Sequence, residues 1–111
     1  MPKRFEIVVS PEAERNIEEA FLWISERSGM AAERWYRELM GKLRTLESFP
    51  KHCPVAPESL LGLLDFEVRQ MLYGKGYWKY RILFKIEGKR VLIAHVRHGA
   101  RLYLGEEDEG G

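Results

Sequence analysis

Residues 65–97, DFEVRQMLYGKGYWKYRILFKIEGKRVLIAHVR, read as three strands joined by two tight turns. In 65–73, Phe66, Val68 and Leu72 fall on one side and Glu67, Arg69 and Tyr73 on the other. Gly74-Lys75-Gly76 is a turn signal. In 77–86, Tyr80, Ile82, Phe84 and Ile86 share one face, and Lys79, Arg81 and Lys85 share the opposite one. Glu87-Gly88-Lys89 is a second turn, and 90–97 is the last strand. Strands joined by so little chain pair antiparallel.

Working back towards the N-terminus, 50–63 contains Pro50, Pro54, Pro57 and Gly62 and reads as a loop. Before it, Ala32, Trp35, Tyr36, Leu39, Leu43 and Leu46 form an apolar stripe, which predicts a helix over 30–48 that Pro50 stops. Gly41 in its middle costs about 1 kcal/mol against alanine. An earlier helix carries Ala13, Ile17, Ala20, Phe21 and Ile24 on one face. Ser10 suits its N-cap, Pro11 its first turn and Glu12 the positive end of its dipole. Ala13 at the third helical position leaves no capping box. Gly29 is a plausible stop, so the two helices form an antiparallel hairpin. Residues 3–9, KRFEIVV, read as a first strand.

The order β-α-α-β-β-β predicts an α+β fold, with a helical hairpin packed on one face of a mostly antiparallel four-stranded sheet. The Phe66 and Tyr80 faces are expected to meet the helices. Arg69, Lys79, Arg81 and Lys85 would then present a basic, open sheet face to water. Phe21, Trp23, Trp35 and Tyr36, at helical spacing, are most simply core.

The chain has 111 residues, 45% of them hydrophobic, with five Phe, five Tyr and three Trp. That suits one domain with a real core and excludes disorder as a whole. We expect a single domain over 1–104 and an acidic tail over 105–111. No apolar run approaches the ~20 residues of a membrane span. The apolar part of MPKRFEIVVS is too short for a secretory signal. The lone Cys53 excludes an internal disulfide framework. These features predict a cytoplasmic protein. The net charge of +1 conceals an asymmetry. Residues 1–63 are nearly neutral, 64–104 carry nine basic and three acidic groups, and the tail GEEDEGG carries four acids. The pattern fits an anionic partner met by one face, and equally a solvated sheet with a solubilising tail.

Signals for common chemistries are absent. Gly74-Lys75-Gly76 lacks the spacing and helix of a phosphate loop. His52, Cys53, His95 and His98 have no recognised zinc spacing. No cofactor and no metal is expected. What remains is the group Arg69, Arg81, His95, Arg97, His98, Arg101 and Tyr103. Cleaving RNA without a metal needs a base, an acid and cations around the phosphorane. Histidine can supply the first two and arginine the third. Tyr103 can stack on a base or orient phosphate. The same residues have ordinary readings as surface-strand arginines and a turn histidine before Gly99. His95 and Arg97 share one parity and His98 the other, so they meet on one face only if the strand is bulged.

Several pieces resemble a known family in their order and spacing. They are Ser10-Pro11-Glu12-Ala13, Ala32, Trp35-Tyr36, Leu46 with Phe49-Pro50, and Glu67-Val68-Arg69. Tyr80-Arg81-Ile82-Leu83-Phe84 and Val96-Arg97-His98-Gly99-Ala100-Arg101 complete the set. Over residues 5–103 the chain resembles the RelE/ParE superfamily of bacterial and archaeal type II toxins. The resemblance implies a toxin neutralised by a small cognate antitoxin in a hetero-oligomer. It implies one of two activities. RelE-like members cut mRNA in the ribosomal A site, which would make this chain a metal-independent, ribosome-dependent endoribonuclease that inhibits translation. ParE-like members poison DNA gyrase by protein–protein binding, and an inactive antitoxin-binding remnant is a third outcome. The RelE-like reading is taken first, with Arg81 and Arg69 on phosphate, His98 as acid or base, and Arg101 and Tyr103 in support. Glu67 stands where some nucleases carry a catalytic lysine. The ending His98-Gly99-Ala100-Arg101 resembles the ParE-like ending.

Overall fold

The first helix starts where its residue types place it. In the computed structural model, which describes residues 4–62, 66–74 and 79–98, helix α1 spans Pro11–Ser25 and Ser10 is its N-cap. The Ser10 hydroxyl accepts from Ala13 N at 3.0 Å and donates to Ala94 O at 3.0 Å. One side chain thus closes the helix end and ties it to the last strand. Helix α2 spans Gly29–Thr45. Gly29, expected to end α1, instead begins α2. Ser28 caps that helix by accepting from Ala31 N at 3.1 Å, because a hydroxyl outcompetes glycine as an N-cap.

The strands are β1 (Glu6–Val9), β2 (Arg69–Tyr73), β3 (Tyr80–Glu87) and β4 (Arg90–His98), with a short helix α3 at Pro57–Leu60. The sheet order is β1-β4-β3-β2. β1 runs parallel to β4, and the other pairings are antiparallel. The fold is α+β with a mostly antiparallel sheet, as expected. Tyr80, Ile82, Phe84, Val91, Ile93 and Val96 pack with Ile17, Leu39, Leu43 and Leu46 in the main core. Each such aliphatic side chain contributes about 1.5–3 kcal/mol on full burial.

Two expectations about faces fail. β2 begins at Arg69 rather than at 65, and it presents the opposite side to the helices. Tyr73 pairs with Tyr80, Met71 with Ile82 and Arg69 with Phe84, so these three lie on the helix side. Val68 lies on the other side, buried with Ala56 and Leu83. Both parities of this strand carry apolar residues, and its pairing with β3 rather than its own pattern chooses between them. The far face of the sheet is therefore partly covered. Residues 54–56 run along β2, with Ala56 N donating to Val68 O at 2.7 Å and Gln70 N to Pro54 O at 3.0 Å. Trp23 and Tyr36 are also outside the core, at 38% and 44% exposure.

Candidate functional site

β4 contains the feature that sorts the candidate residues. Leu83 pairs with His95 and Phe84 with Ile93, which leaves Ala94 as an extra, bulged residue. Val91, Ile93 and Val96 all reach the core although their spacing breaks alternation, and the bulge makes that possible. Ser10 N donates to Ile93 O at 3.0 Å, and Val96 N donates to Asn16 Oδ1 at 3.0 Å. Helix α1 thereby serves the strand beyond the end of β1.

The bulge precedes His95, so the parity after it is fixed. His98 pairs with Tyr80 and Arg97 with Arg81. His98 stands on the helix side, its ring edge-on to Tyr80 at 5.3 Å. Tyr80 in turn lies 5.4 Å from Trp35. Arg81, His95 and Arg97 belong to the far side with Leu83. The sheet therefore divides the expected group, with Arg81 on one side and His98 and Arg69 on the other. Arg101 and Tyr103 lie outside the described residues.

Neither arginine stands out in water as expected. Arg81 is buried, at 6% exposure. Its Nε and Nη2 donate to Gln70 Oε1 at 3.1 and 2.9 Å. Gln70 orients the guanidinium without adding a charge. Arg69 Nη1 donates to Cys53 O at 2.6 Å and to Lys51 O at 3.3 Å, and Nη2 faces Glu67 at 3.3 Å. Arg69 therefore fastens the 50–56 segment to the sheet edge. Its neighbour Cys53 has its thiol pushed above the ordinary value by burial, against the pull of Arg69 and Lys42. That disfavours the thiolate a nucleophile needs. Lys85 is held by Glu87 at 2.9 Å and lies over the Phe66 ring at 4.9 Å.

A second feature lies on the other side of the molecule. Val9, Ile17, Phe21 and Tyr36 line a groove of about 710 Å³ between the two long helices. Phe21 and Tyr36 meet edge to face at 6.2 Å. Glu14, Glu18 and Glu33 rim the groove, and among the described residues of its lining Arg37 is the one basic side chain. Sequence reasoning missed this site by assigning its aromatics to the core. The signal available was the run of acids on the flanks of the α1 stripe. His95 and Arg97 were visible as types, but only the bulge puts them beside Arg81.

The family model described as "ParE toxin of type II toxin-antitoxin system, parDE" matches residues 7–103. No curated protein matches the chain. Among solved structures the chain is similar to one titled "Chromosomal ParDE TA system from P. aeruginosa". The TM-score is 0.67 at 13% identity, covering 86% of this chain and 97% of that one. At that identity the likeness speaks for the fold.

Proposed function

The chain belongs to the ParE toxin family of type II toxin–antitoxin systems, and from that we propose that it acts by binding DNA gyrase rather than by cutting RNA. The observation that carries this reading is the division of the candidate cations and histidine across the sheet. Metal-free cleavage needs acid, base and cations around a single phosphate. Arg81 and His98 belong to opposite faces, and Arg69 is spent on main-chain carbonyls. A surface that binds protein needs no such convergence.

A cognate antitoxin belongs to the same reading. The helix groove suits an amphipathic helix, whose apolar stripe would enter against Ile17 and Phe21. Glu14, Glu18 and Glu33 favour an antitoxin segment that carries Lys or Arg at its flanks. Both partners place the protein in the cytoplasm.

A ribosome-dependent endoribonuclease keeps one observation in its favour, since Arg81, His95 and Arg97 share a face. Two parallel assays separate the readings. Purified gyrase is tested for loss of supercoiling, and programmed ribosomes for cleavage of A-site mRNA. Inhibition of gyrase with intact mRNA is the expected result. Cleavage of mRNA that Arg81→Ala abolishes would replace this reading with the nuclease. Neither effect, from folded protein, would leave an antitoxin-binding remnant.

A further inference from the structure

The outer side of α2 carries a pattern that the core does not require. Met30, Arg34, Arg37, Gly41 and Arg44 recur at helical spacing, which stacks them along one side of the helix. All five are exposed, and they face away from the buried Ala32, Leu39 and Leu43. Gly41 is the odd member. Glycine inside a helix is destabilising against alanine, yet a Cβ built on Gly41 meets nothing within 4 Å. Packing within the chain therefore does not call for it. On an exposed helix face, a glycine lets another molecule come close to the helix backbone.

The arginines indicate the chemistry of that molecule. Among the described residues Arg34, Arg37 and Arg44 have no ion pair, whereas Arg4, Arg15 and Arg69 each face a carboxylate. Of the acids beside the stripe, Glu38 lies 3.2 Å from the Tyr73 hydroxyl and Glu33 faces the helix groove. At helical rise Arg34 and Arg44 stand about 15 Å apart. That length runs beside about four phosphates of one DNA strand. A duplex offers its charge continuously, so the uneven spacing of 34, 37 and 44 needs no matching pattern. An acidic protein helix would have to repeat that spacing in its own carboxylates.

We infer that this stripe seats the phosphate backbone of duplex DNA, with Gly41 letting the strand reach the helix between Arg37 and Arg44. The inference rests on the gyrase reading for its setting, since gyrase brings duplex DNA to any protein docked on it.

The test is binding of a short labelled DNA duplex, followed by anisotropy. Gyrase is absent, so the result stands apart from the supercoiling assay. Between about 0.05 and 0.2 M salt the affinity of the parent should fall about fortyfold, as expected for about three phosphate contacts. Combining Arg34→Gln, Arg37→Gln and Arg44→Gln should weaken binding by about tenfold or more at 0.05 M and remove most of the salt dependence. A control with the same net charge combines Arg15→Gln, Lys89→Gln and Arg90→Gln. It should lose less than about threefold and keep the slope. Gly41→Leu leaves the charge unchanged and should weaken binding about fivefold or more. The same change should raise the melting temperature by about 3 °C, which rules out unfolding as the cause. Equal losses in the two triple variants would overturn the inference, because net charge alone would then be acting. So would unchanged binding by Gly41→Leu. If Gly41→Leu instead weakens capture of the cognate antitoxin and spares DNA, the stripe belongs to a protein partner and the inference falls.

Discussion

Replacing Arg69 with methionine should lower the melting temperature by about 9 °C. Methionine keeps much of the stem and removes the guanidinium. The bond from Nη1 to Cys53 O at 2.6 Å is lost, and a charged hydrogen bond of this kind contributes about 1.5–3 kcal/mol. The longer bond to Lys51 O, at 3.3 Å, adds little. Glu67 is 62% exposed in its side chain, so its ion pair contributes between about 0 and 1 kcal/mol. The total is about 2 kcal/mol. A chain of this length unfolds with an entropy of about 0.23 kcal/mol/K, which converts that loss to about 9 °C. Glu67→Gln should cost less than about 4 °C, and high salt should erase the difference. Thermal unfolding followed by circular dichroism reads both. A methionine variant that melts within about 2 °C of the parent yet has lost toxicity would refute the reasoning, because Arg69 would then act on a target rather than on the fold.

The Ser10→Ala change removes both the α1 cap and the donor to Ala94 O, so it should cost about 1–2 kcal/mol in denaturant titration. The Tyr73 hydroxyl lies 3.1 Å from Trp35 O and 3.2 Å from Glu38 Oε1, and burial, with Glu38 adding to it, pushes its pKa up to about 12. The fold favours the protonated phenol. The stability it contributes is complete below the unfolded value of about 10 and is lost as pH rises from there to 12. Tyr73→Phe should flatten that alkaline limb in a stability-versus-pH series. Glu18→Lys with Glu33→Lys, on the rim of the helix groove, should weaken capture of the cognate antitoxin by about tenfold or more, and the loss should shrink in high salt. Unchanged antitoxin affinity in a titration by calorimetry would move the docking site elsewhere.

The helices were legible because their signals are local. Ser10-Pro11-Glu12 states a helix start within three residues, and the structure uses it as written. The stripe Leu39, Leu43 and Leu46 is core in both readings. β2 was legible as a strand but not as a face. Phe66, Val68 and Leu72 compete with Met71 and Tyr73, and the decision comes from pairing with Tyr80 and Ile82. The covering of the far face was not readable either. It depends on Ala56 meeting Val68 and Leu83, a contact between a proline-bounded loop and two strands. The bulge at Ala94 could have been found. Val91, Ile93 and Val96 change parity between 93 and 96, and in a strand with one buried face that means an extra residue. The same parity change sets His98 and Arg81 on opposite faces.

The most direct test of the toxin reading is pulse labelling after induction in a bacterium that lacks the antitoxin, with thymidine and methionine incorporation followed together. The account predicts that thymidine incorporation falls first, while methionine incorporation continues until the replication block has taken hold. An immediate fall in methionine incorporation with DNA synthesis still running would contradict it and place the target on the ribosome.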